Sequence, residues 1–373
     1  MKKKVCILQN GLARGGTDTF VVNLCRGLDK QKFDIIVVNP SLKPESLIRE
    51  AEVLAEGCKI LRTSPLAGFK SKLKHFCRLY RILKDEKVDI FHTNVDLFNG
   101  PQLFVAWLAG VPMRICHSHN GNQQKALVQG QTMMIRIYQR VMRWMCWIFS
   151  NRRLGCSEIA MEFLFQGHNW KHDKYPIVIN NGIDLEVYRK QIDIEAKKKD
   201  LGLTAKYNIV TVGRIIPQKN PLFIANSFVE LCKLRDDCDF VWVGDGPLKM
   251  ECEDIFRKNG VLNRVHFLGQ RADVNEILQC CNLFFMPSSF EGLGIVIIEA
   301  QAAGLSCLVS TEVPQEANCG ACLYKSLDDT IENWADTMLR ILDEKIKLGV
   351  DEPKIEQFSV AHMVSQMEQV FNS

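Results

Sequence analysis

The sequence predicts an α/β protein built from two doubly wound domains that face each other across a cleft. Short apolar runs alternate with amphipathic stretches along the 373 residues, and continuous apolar runs are typical of parallel strands covered by helices on both faces. One polar, lysine-rich stretch separates two sets of these runs. The runs cover residues 5–8, 33–38, 88–92, 113–117 and 177–179, and then 209–212, 240–243, 265–268, 283–286 and 305–309.

The two sets of runs define the predicted domains. We expect an N-terminal domain at residues 1–187, a linker at 188–206 and a C-terminal domain at 207–357. Residues 358–373 carry apolar side chains at helical spacing and are predicted to form a final amphipathic helix.

Charge is distributed unevenly between the two halves. Residues 1–187 hold 27 Lys and Arg against 16 Asp and Glu, whereas residues 188–373 hold 20 against 27. A basic first half indicates a polyanionic partner, such as a phosphorylated ligand, an anionic membrane or nucleic acid. No apolar run reaches the ~18–20 residues of a membrane-spanning helix, and the run after the basic N-terminus is too short for a signal peptide. We therefore expect a cytoplasmic protein.

The 15 cysteines do not follow the pattern of a disulfide framework or a zinc site. Their number is odd, their spacing is irregular, and several lie in apolar runs, where a cysteine behaves as a small hydrophobe. Cys319-Gly-Ala-Cys322 has the C-x-x-C form but no second pair. We expect reduced thiols throughout.

The loop after the first predicted strand is a candidate ligand site, because ligands of doubly wound sheets bind at the carboxyl ends of strands. Gly15 and Gly16 in this loop would let the backbone approach a ligand closely, although a simple tight turn explains them equally well. The loop lacks the G-x-G-x-x-G fingerprint of dinucleotide enzymes and the phosphate loop of nucleotide kinases. Both classes are therefore disfavoured.

The strongest signal is the segment Ser288-Ser-Phe-Glu-Gly-Leu-Gly294, which leads into a predicted helix that contains Glu299. The start of this helix offers free amide groups and a positive dipole end to a phosphate. Glu291 and Glu299 can accept hydrogen bonds from two sets of sugar hydroxyls. Neither glutamate has an obvious cationic partner in the sequence, which favours ligand binding over a structural role.

Basic residues and glycines follow the neighbouring predicted strands. Arg214 and Lys219 lie in the loop after residues 209–212 and can converge on a diphosphate. Gly244 and Asp245 belong to a second loop suited to close approach of a ligand. Arg271 lies in a third loop, where backbone groups could bind a base.

Together these motifs resemble glycosyltransferase family 4, whose members are retaining sugar transferases of GT-B fold. The resemblance covers almost the whole chain, and its motifs occur in family order: Val178-Ile-Asn-Asn-Gly-Ile-Asp184, Gly213-Arg214…Lys219, Gly244-Asp-Gly-Pro and Glu291…Glu299. Residues 114–120 and 313–316 are similar to the bacterial capsule and exopolysaccharide branch.

The resemblance implies a role for each candidate in the second domain. Arg214 and Lys219 would hold the diphosphate of a nucleotide sugar, and Glu299 would bind the ribose hydroxyls. Glu291, together with the backbone of Gly292, Leu293 and Gly294, would bind the donor sugar.

The resemblance also implies roles in the first domain. Gly15 and Gly16 would lie against the diphosphate or the acceptor, and His119 would contact the donor sugar. His117 is the alternative for this histidine, although it also fits a core position at the strand end. The final helix would pack back on the first domain.

The implied reaction moves a sugar, with retained configuration, from a nucleotide sugar to a saccharide acceptor. We expect UDP as the nucleotide and a polyprenyl-diphosphate-linked saccharide as the acceptor, with no nucleic acid involved. Negative charge grows on the leaving diphosphate, and Arg214, Lys219 and the helix start would stabilise it without a metal cofactor. The literal D-x-D at Asp237 and Asp239 precedes a strand, which is the wrong place for a magnesium ligand.

Two other function classes stay open at the level of sequence. A nucleotide-sugar epimerase or hydrolase of the same fold would need further acid/base carboxylates, for which Asp18 and Asp96 are the candidates. A non-catalytic polyanion-binding protein would leave the two glutamates unexplained.

Two basic segments predict attachment of the first domain to the inner face of the cell membrane. Arg136, Arg140 and Arg143 share one helical stripe with aromatic residues nearby, and residues 70–84 hold six Lys and Arg with no acid. Basic amphipathic helices with aromatic residues suit the headgroup region of an anionic leaflet. The alternative is that both helices pack on the sheet and their charges are merely solvated.

Overall fold

The computed structural model describes residues 2–13, 15–119, 133–172, 175 and 177–373. The chain divides into two compact units, one formed by Met1–Ile183 with Phe358–Ser373 and the other by Asp184–Gln357. Each unit contains a six-stranded sheet covered by helices. The predicted α/β class with two doubly wound domains is therefore confirmed.

The sheet of the first unit has the strand order β3-β2-β1-β4-β5-β6, and all of its pairings are parallel in the described ranges. The order reverses between β1 and β4, which is the topological switch point of this sheet. Its strands are β1 Lys3–Leu8, β2 Phe33–Asn39, β3 Lys59–Arg62, β4 Ile90–Thr93, β5 Met113–Ser118 and β6 Arg152–Gly155. Its helices are α1 Gly16–Gly27, α2 Glu50–Ala55, α3 Phe69–Asp85, α4 Asn99–Leu108, α5 Met133–Phe149 and α6 Glu158–Phe165.

The sheet of the second unit has the order β12-β11-β10-β7-β8-β9 and is again parallel, with its switch point between β7 and β10. Its strands are β7 Tyr207–Val212, β8 Cys238–Val243, β9 Val265–Gly269, β10 Leu283–Met286, β11 Ser306–Ser310 and β12 Cys322–Lys325. Its helices are α7 Leu185–Arg189, α8 Ile194–Leu201, α9 Pro221–Leu234, α10 Lys249–Lys258, α11 Val274–Gln279, α12 Ile295–Ala302, α13 Ile331–Leu342 and α14 Glu352–Glu356.

The last helix, α15 Val360–Asn372, packs on the first unit. Met367 and Phe371 are fully buried in the core that contains Phe20 and Phe33, and the rings of Phe33 and Phe371 lie 5.5 Å apart. Residue 27 is a glycine where α15 crosses α1, and a Cβ there would lie 2.4 Å from a methyl of Val364. The C-terminal helix is thus part of the core of the first unit.

The strands β3 and β12 were not predicted, and the structure also differs from the sequence prediction in two other segments. Residues 188–206, predicted as a linker, form the end of α7 and all of α8 within the second unit. The predicted strand at 177–179 is reduced to a single bridge from Val178 to Gly155. The edge strand beside β5 is β6 instead. Two arginines at the start of β6 hide its strand character, because a strand at the edge of a sheet tolerates charged side chains that a central strand does not.

The cysteines and the helix lengths give two further findings. The 15 cysteines all lie in the described ranges, carry thiols rather than disulfides, and are mostly buried. Among the helices of the described ranges, none combines the length and the apolar character needed to cross a bilayer.

We expect Met367→Ala to destabilise the first unit by about 2–5 kcal/mol, because it removes a fully buried side chain and leaves a cavity. Urea unfolding, monitored for the transition of the first unit, measures this loss. Gln369→Ala is the control, since Gln369 is exposed on the same helix and its replacement should change little. Equal effects of the two substitutions would contradict the packing of α15.

Candidate functional site

The candidate site of the second unit lies at the switch point between β7 and β10. The loops that follow these neighbouring strands contain Gly213–Lys219 and Ser288–Gly294, respectively. They contact each other through the amide of Ser289, which donates to the carbonyl of Gln218 at 2.8 Å, and through Gln218 Nε2, which donates to the carbonyl of Phe290 at 3.1 Å. Two predicted motifs that are far apart along the chain are thereby held side by side.

Lys219 and Glu291 form an ion pair across these two loops. Lys219 Nζ lies 2.7 Å from Glu291 Oε1, and the side chains are only 18% and 7% exposed. The expectation that Glu291 has no cationic partner is therefore wrong, because sequence spacing does not reveal which loops meet at a sheet edge. The pair neutralises much of the charge that each residue would otherwise offer to a ligand.

The start of α12 completes this part of the site. Gly294 precedes the helix in a left-handed conformation, with φ of 81°, which glycine adopts without strain. Its carbonyl accepts from the amide of Ile297 at 2.8 Å, while Leu293 is buried. The first two amide groups of α12, those of Ile295 and Val296, have no carbonyl partner within the helix, so they and the helix dipole are available to an anion.

Glu299 lies within α12 beside Tyr188 of α7. Burial raises the pKa of Glu299, although the neighbouring Tyr188 hydroxyl favours the carboxylate and acts in the opposite direction. Burial and the nearby carboxylate also raise the pKa of Tyr188. Tyr188 was missed in the sequence because it lies in the stretch predicted as a linker. The available signal was its aromatic hydroxyl, which stands out in a stretch rich in charged residues.

Glycines at the ends of β7 and β8 allow the two following loops to pack together. A Cβ on Gly244 would lie 2.0 Å from the carbonyl oxygen of Gly213, and one on Gly246 would lie 2.4 Å from that of Ile215. The carbonyl of Asp245 accepts from the amide of Ile215 at 3.0 Å. Contact between the loops is thus a sufficient reason for these glycines, whether or not a ligand also approaches them.

The two candidate arginines have different environments. Arg214 is exposed, and the described residues form no ion pair with it. Arg271, by contrast, donates two hydrogen bonds to Asp273, at 2.8 and 2.6 Å, and Lys197 also binds Asp273 at 2.6 Å. Arg214 is therefore free to bind an anion, whereas the Arg271 guanidinium is already engaged.

In the first unit, His119 follows β5 and is 9% exposed. Its Nε2 lies 2.8 Å from Asn94 Oδ1, and Asn94 Nδ2 faces the carbonyl of Leu8 at 3.5 Å. Asn94 therefore presents its oxygen to the ring, so that Nε2 carries the proton and Nδ1 is the acceptor. Burial lowers the pKa of His119 to about 3, which keeps the ring neutral at physiological pH.

His117 occupies the interior beside His119. It is fully buried, its Nδ1 lies 3.1 Å from His92 Nε2, and its ring packs edge-on against Phe20 at 4.9 Å. Burial lowers the pKa of His117 as well. These contacts are those of a core histidine at a strand end.

Gly15 and Gly16 lie at the start of α1 and are exposed. The amide of Gly15 donates to Asp18 Oδ2 at 3.1 Å, and Gln9 Nε2 donates to Asp18 Oδ1 at 2.7 Å. Asp18 therefore caps this turn.

The acidic residues of the described chain do not gather into a metal site, since no group of three or more His, Cys, Asp or Glu has the required proximity there. Asp237 pairs with Arg235 at 2.6 Å. Asp239 lies 3.3 Å from His266 and accepts from the amides of Thr204 and Ala205. Both carboxylates of the D-x-D thus have structural partners.

Sequence reasoning missed Asn94 and Tyr188. It also did not predict the ion pair between Lys219 and Glu291. Asn94 directly follows β4, next to the switch point of the first sheet. Its position at a strand end was the available signal, since ligands of doubly wound sheets bind at the carboxyl ends of strands.

Comparison with known proteins identifies relatives for both units. The family model for Glycosyltransferase Family 4 matches residues 14–187, and the model for Glycosyl transferases group 1 matches residues 206–344. EpsF of Bacillus subtilis (strain 168), which is named as a glycosyltransferase, is 30% identical over 348 residues, or 91% of this chain and 88% of EpsF.

Two further similarities bear on substrates and fold. A UDP-Gal:alpha-D-GlcNAc-diphosphoundecaprenol alpha-1,3-galactosyltransferase of Escherichia coli is 31% identical over 292 residues, or 74% of this chain and 71% of that enzyme. The crystal structure of Anabaena HepE in complex with UDP and glucose superimposes with a TM-score of 0.79 at 16% identity, covering 99% of each chain. The likeness to HepE concerns the fold.

We expect Lys219→Met to lower the stability of the second unit by about 2–3 kcal/mol, because it leaves the buried Glu291 carboxylate without its cation. The additional substitution Glu291→Gln should recover part of this loss, since the uncompensated charge is then removed. Urea unfolding of the single and double variants gives the coupling between the two residues.

The matched control is Lys233→Met, which breaks an exposed pair with Glu230 in which Lys233 is 62% exposed. Exposed pairs contribute about 0–1 kcal/mol, so this variant should be nearly as stable as the parent. A loss at Lys219 no larger than at Lys233 would contradict the buried ion pair.

Proposed function

We propose a specific sugar transfer for this chain, which belongs to glycosyltransferase family 4 and is an enzyme of polysaccharide biosynthesis with the GT-B fold. The proposed donor is a UDP-sugar, the proposed acceptor is a saccharide linked to a polyprenyl diphosphate, and the anomeric configuration is retained. The names of the galactosyltransferase relative and of the HepE complex support these choices of donor and acceptor.

The observation that carries the proposal is the arrangement at the switch point of the second sheet. One edge presents an exposed arginine, the Lys219–Glu291 pair and the start of α12. A nucleotide diphosphate needs cationic and amide donors, and a hexose needs carboxylate acceptors for its hydroxyls. The arrangement supplies both kinds of group next to each other.

The proposed mechanism uses these groups in the order in which charge develops. As the bond to the anomeric carbon breaks, negative charge grows on the diphosphate, and Arg214, Lys219 and the amides at the start of α12 stabilise it. Glu291 accepts hydrogen bonds from the donor sugar, which lets it share Lys219 with the diphosphate. The oxygen of the acceptor hydroxyl bonds to the anomeric carbon on the face that the diphosphate leaves, and a diphosphate oxygen accepts its proton. The configuration is then retained without a side-chain nucleophile or a side-chain base.

Two further residues are proposed to bind the donor. Glu299 accepts hydrogen bonds from the ribose hydroxyls. His119 binds a sugar hydroxyl through Nδ1, which is an acceptor while Asn94 holds the proton on Nε2. No metal cofactor is proposed, because the cationic and amide groups named above can balance the charge of the diphosphate.

The first unit is proposed to bind the surface of an anionic membrane, on the inner face of the cell membrane, where a lipid-linked acceptor is available. In α3, Lys70 and Lys74 are exposed, whereas Lys72 lies over the Phe98 ring at 5.1 Å and Arg78 donates to the Thr63 carbonyl at 3.1 Å. In α5, basic and apolar side chains are both exposed. Binding of this kind weakens as salt rises.

Product analysis tests the reaction class. Incubation with UDP-hexoses and a polyprenyl-diphosphate-linked saccharide should give an extended lipid-linked product and UDP. A sugar isomer or free sugar formed equally well without acceptor would indicate an epimerase or hydrolase. Salt-sensitive binding of polyanions without any product would indicate a binding protein.

We expect Lys219→Ala and Arg214→Ala each to lower kcat/KM by about 10²–10³-fold, because the leaving diphosphate loses a charged partner. Lys258→Ala removes the same charge from an exposed position of the same unit and is the matched control. Initial rates of UDP release, with stability of each variant measured alongside, give the comparison. Unchanged kcat/KM in both site variants would exclude the proposed diphosphate contacts.

We expect Glu299→Gln to weaken UDP binding by about tenfold, the equivalent of roughly one lost charged hydrogen bond. Glu291→Gln should act mainly on the KM for the UDP-sugar and leave UDP affinity nearly intact. Calorimetric titration with UDP measures both, and Glu251→Gln, an exposed change in the same unit, is the control.

The raised pKa of Glu299 adds a pH dependence to this prediction. The carboxylate is the form that binds UDP. As the pH is lowered, UDP affinity should therefore begin to fall at a pH above ~4.3, the ordinary pKa of a Glu side chain. The Glu299→Gln variant should lack this fall. UDP affinity that is equal in the variant and the parent would overturn the ribose role.

A further inference from the structure

A pocket of about 710 Å³ lies on the first unit between α5 and the end of α6. It is lined by Arg136, Arg140 and Arg143 of α5 and by Glu162 and His168 on the other side. No residue proposed above to bind the donor lines this pocket. Three arginines against one glutamate leave an excess of two positive charges in it.

Arg143 is held in place at the inner end of the pocket. Its Nε donates to the carbonyl of Phe163 at 3.0 Å, and its guanidinium lies 5.3 Å from the centre of the Phe163 ring. With the side-chain amide of Gln166 oriented to satisfy its partners, the Gln166 oxygen also accepts from Arg143, at 2.8 Å. Burial lowers the pKa of Arg143, but an arginine keeps its charge at physiological pH.

Arg140 and Arg136 lie one and two turns before Arg143, respectively, and are exposed. Glu162 faces the same pocket, yet within the described ranges it forms no ion pair with any of the three arginines. Residues 120–132, which precede α5, contain no Asp or Glu, so that segment offers them no carboxylate. Within the described ranges, Arg136 and Arg140 thus pair with no carboxylate, and a phosphate presents oxygens that match their guanidinium forks.

The surface next to the arginines is apolar. The same helix exposes about half of each of several large side chains, and α4 adds another beside them: Ile137 53%, Val141 44%, Trp144 54%, Ile148 52% and Trp107 50%. The Trp107 and Trp144 rings both contact Phe149, at 5.6 and 6.3 Å between centroids. Free phosphate would use only the arginines, whereas a phospholipid presents a phosphate directly beside an apolar phase.

We infer that the pocket between α5 and α6 binds the phosphate headgroup of an anionic phospholipid, while the apolar face of α5 enters the acyl boundary. The inference rests on the membrane association proposed above and makes it specific: one defined site, rather than the summed charge of the unit, holds the enzyme at the membrane. Arg136 and Arg140 bind the phosphate oxygens, and Arg143 supplies a fixed charge behind them.

Vesicle flotation of the full chain tests this site. Vesicles of phosphatidylcholine with and without phosphatidylglycerol are used, and both lack polyprenyl lipids, so the acceptor's diphosphate is not a source of phosphate. The pocket variant is Arg136→Gln/Arg140→Gln. The matched control is Lys70→Gln/Lys74→Gln, which removes two exposed charges from α3 of the same unit.

We expect the parent to prefer vesicles with phosphatidylglycerol and to lose this binding at high salt. Each generic basic residue near the surface accounts for roughly a fivefold change in partitioning, and a phosphate-binding arginine accounts for more. The pocket variant should therefore lose about tenfold more binding than the control, with unchanged thermal stability and an unchanged response to UDP.

Equal losses in the two variants would overturn the pocket and leave only diffuse attraction to the membrane. Parent binding that is absent, or the same without phosphatidylglycerol, would overturn both the pocket and the membrane association. A thermal shift with inorganic phosphate that requires Arg136 and Arg140, without any vesicle preference, would indicate a free phosphate and contradict the lipid. In each case transfer to a water-soluble acceptor is measured separately, so failure of the site is distinguished from failure of the proposed reaction.

Discussion

Parallel pairing of the strands is the constraint on which the rest of the structure depends. In the described ranges, every pairing within the two sheets is parallel, so the carboxyl ends of all strands of a sheet meet at one edge. Where the strand order reverses, the flanking connections run to opposite faces and leave a crevice. Loops that are far apart in the chain, such as those carrying Lys219 and Glu291, meet there.

The ion pair at this crevice changes how the charges of the site are counted. Sequence alone suggested two free cations and two free carboxylates, whereas Lys219 and Glu291 already satisfy each other and the Tyr188 hydroxyl lies beside Glu299. Arg214 and the start of α12 are what the edge offers unshared. A bound diphosphate and sugar would have to divide the Lys219–Glu291 pair between them, which links the binding of the two parts of a donor.

The first unit treats its ionisable groups in two opposite ways. His92, His117 and His119 are buried at the strand ends, and burial lowers the pKa of His92 and of His119 to about 3. They act as neutral, oriented rings, and Asn94 determines which nitrogen of His119 carries the proton. Arg136 and Arg140 of α5 instead lie exposed beside apolar side chains, and no carboxylate of the described ranges forms an ion pair with them. Buried neutral histidines of fixed orientation and exposed arginines suit different ligands.

The hydrophobic periodicity and the motif spacing of the sequence predicted most of the strands and the family of this protein. The apolar runs that form β1, β2, β4, β5, β7, β8, β10 and β11 are inner strands covered by helices on both faces, so their side chains had to be apolar whatever the neighbours. The run that forms β9 was also apolar enough to be predicted, although β9 is a half-buried edge strand. The edge strands β3, β6 and β12 were not predicted, because an edge strand needs one partner only and tolerates residues such as Arg152. Four motifs in family order were enough to indicate the family: Val178–Asp184, Gly213-Arg214…Lys219, Gly244-Asp-Gly-Pro and Glu291…Glu299.

Tertiary structure decided the partners. Whether Arg271 is free or bound to Asp273, whether Glu291 is alone or paired, and whether residues 188–206 link the units or belong to one depends on contacts between segments distant in the chain. Local sequence specifies the period of an element and the end of a strand. It does not specify which side chains two strand ends bring within hydrogen-bonding distance, because the twist, order and register of the sheet set that distance.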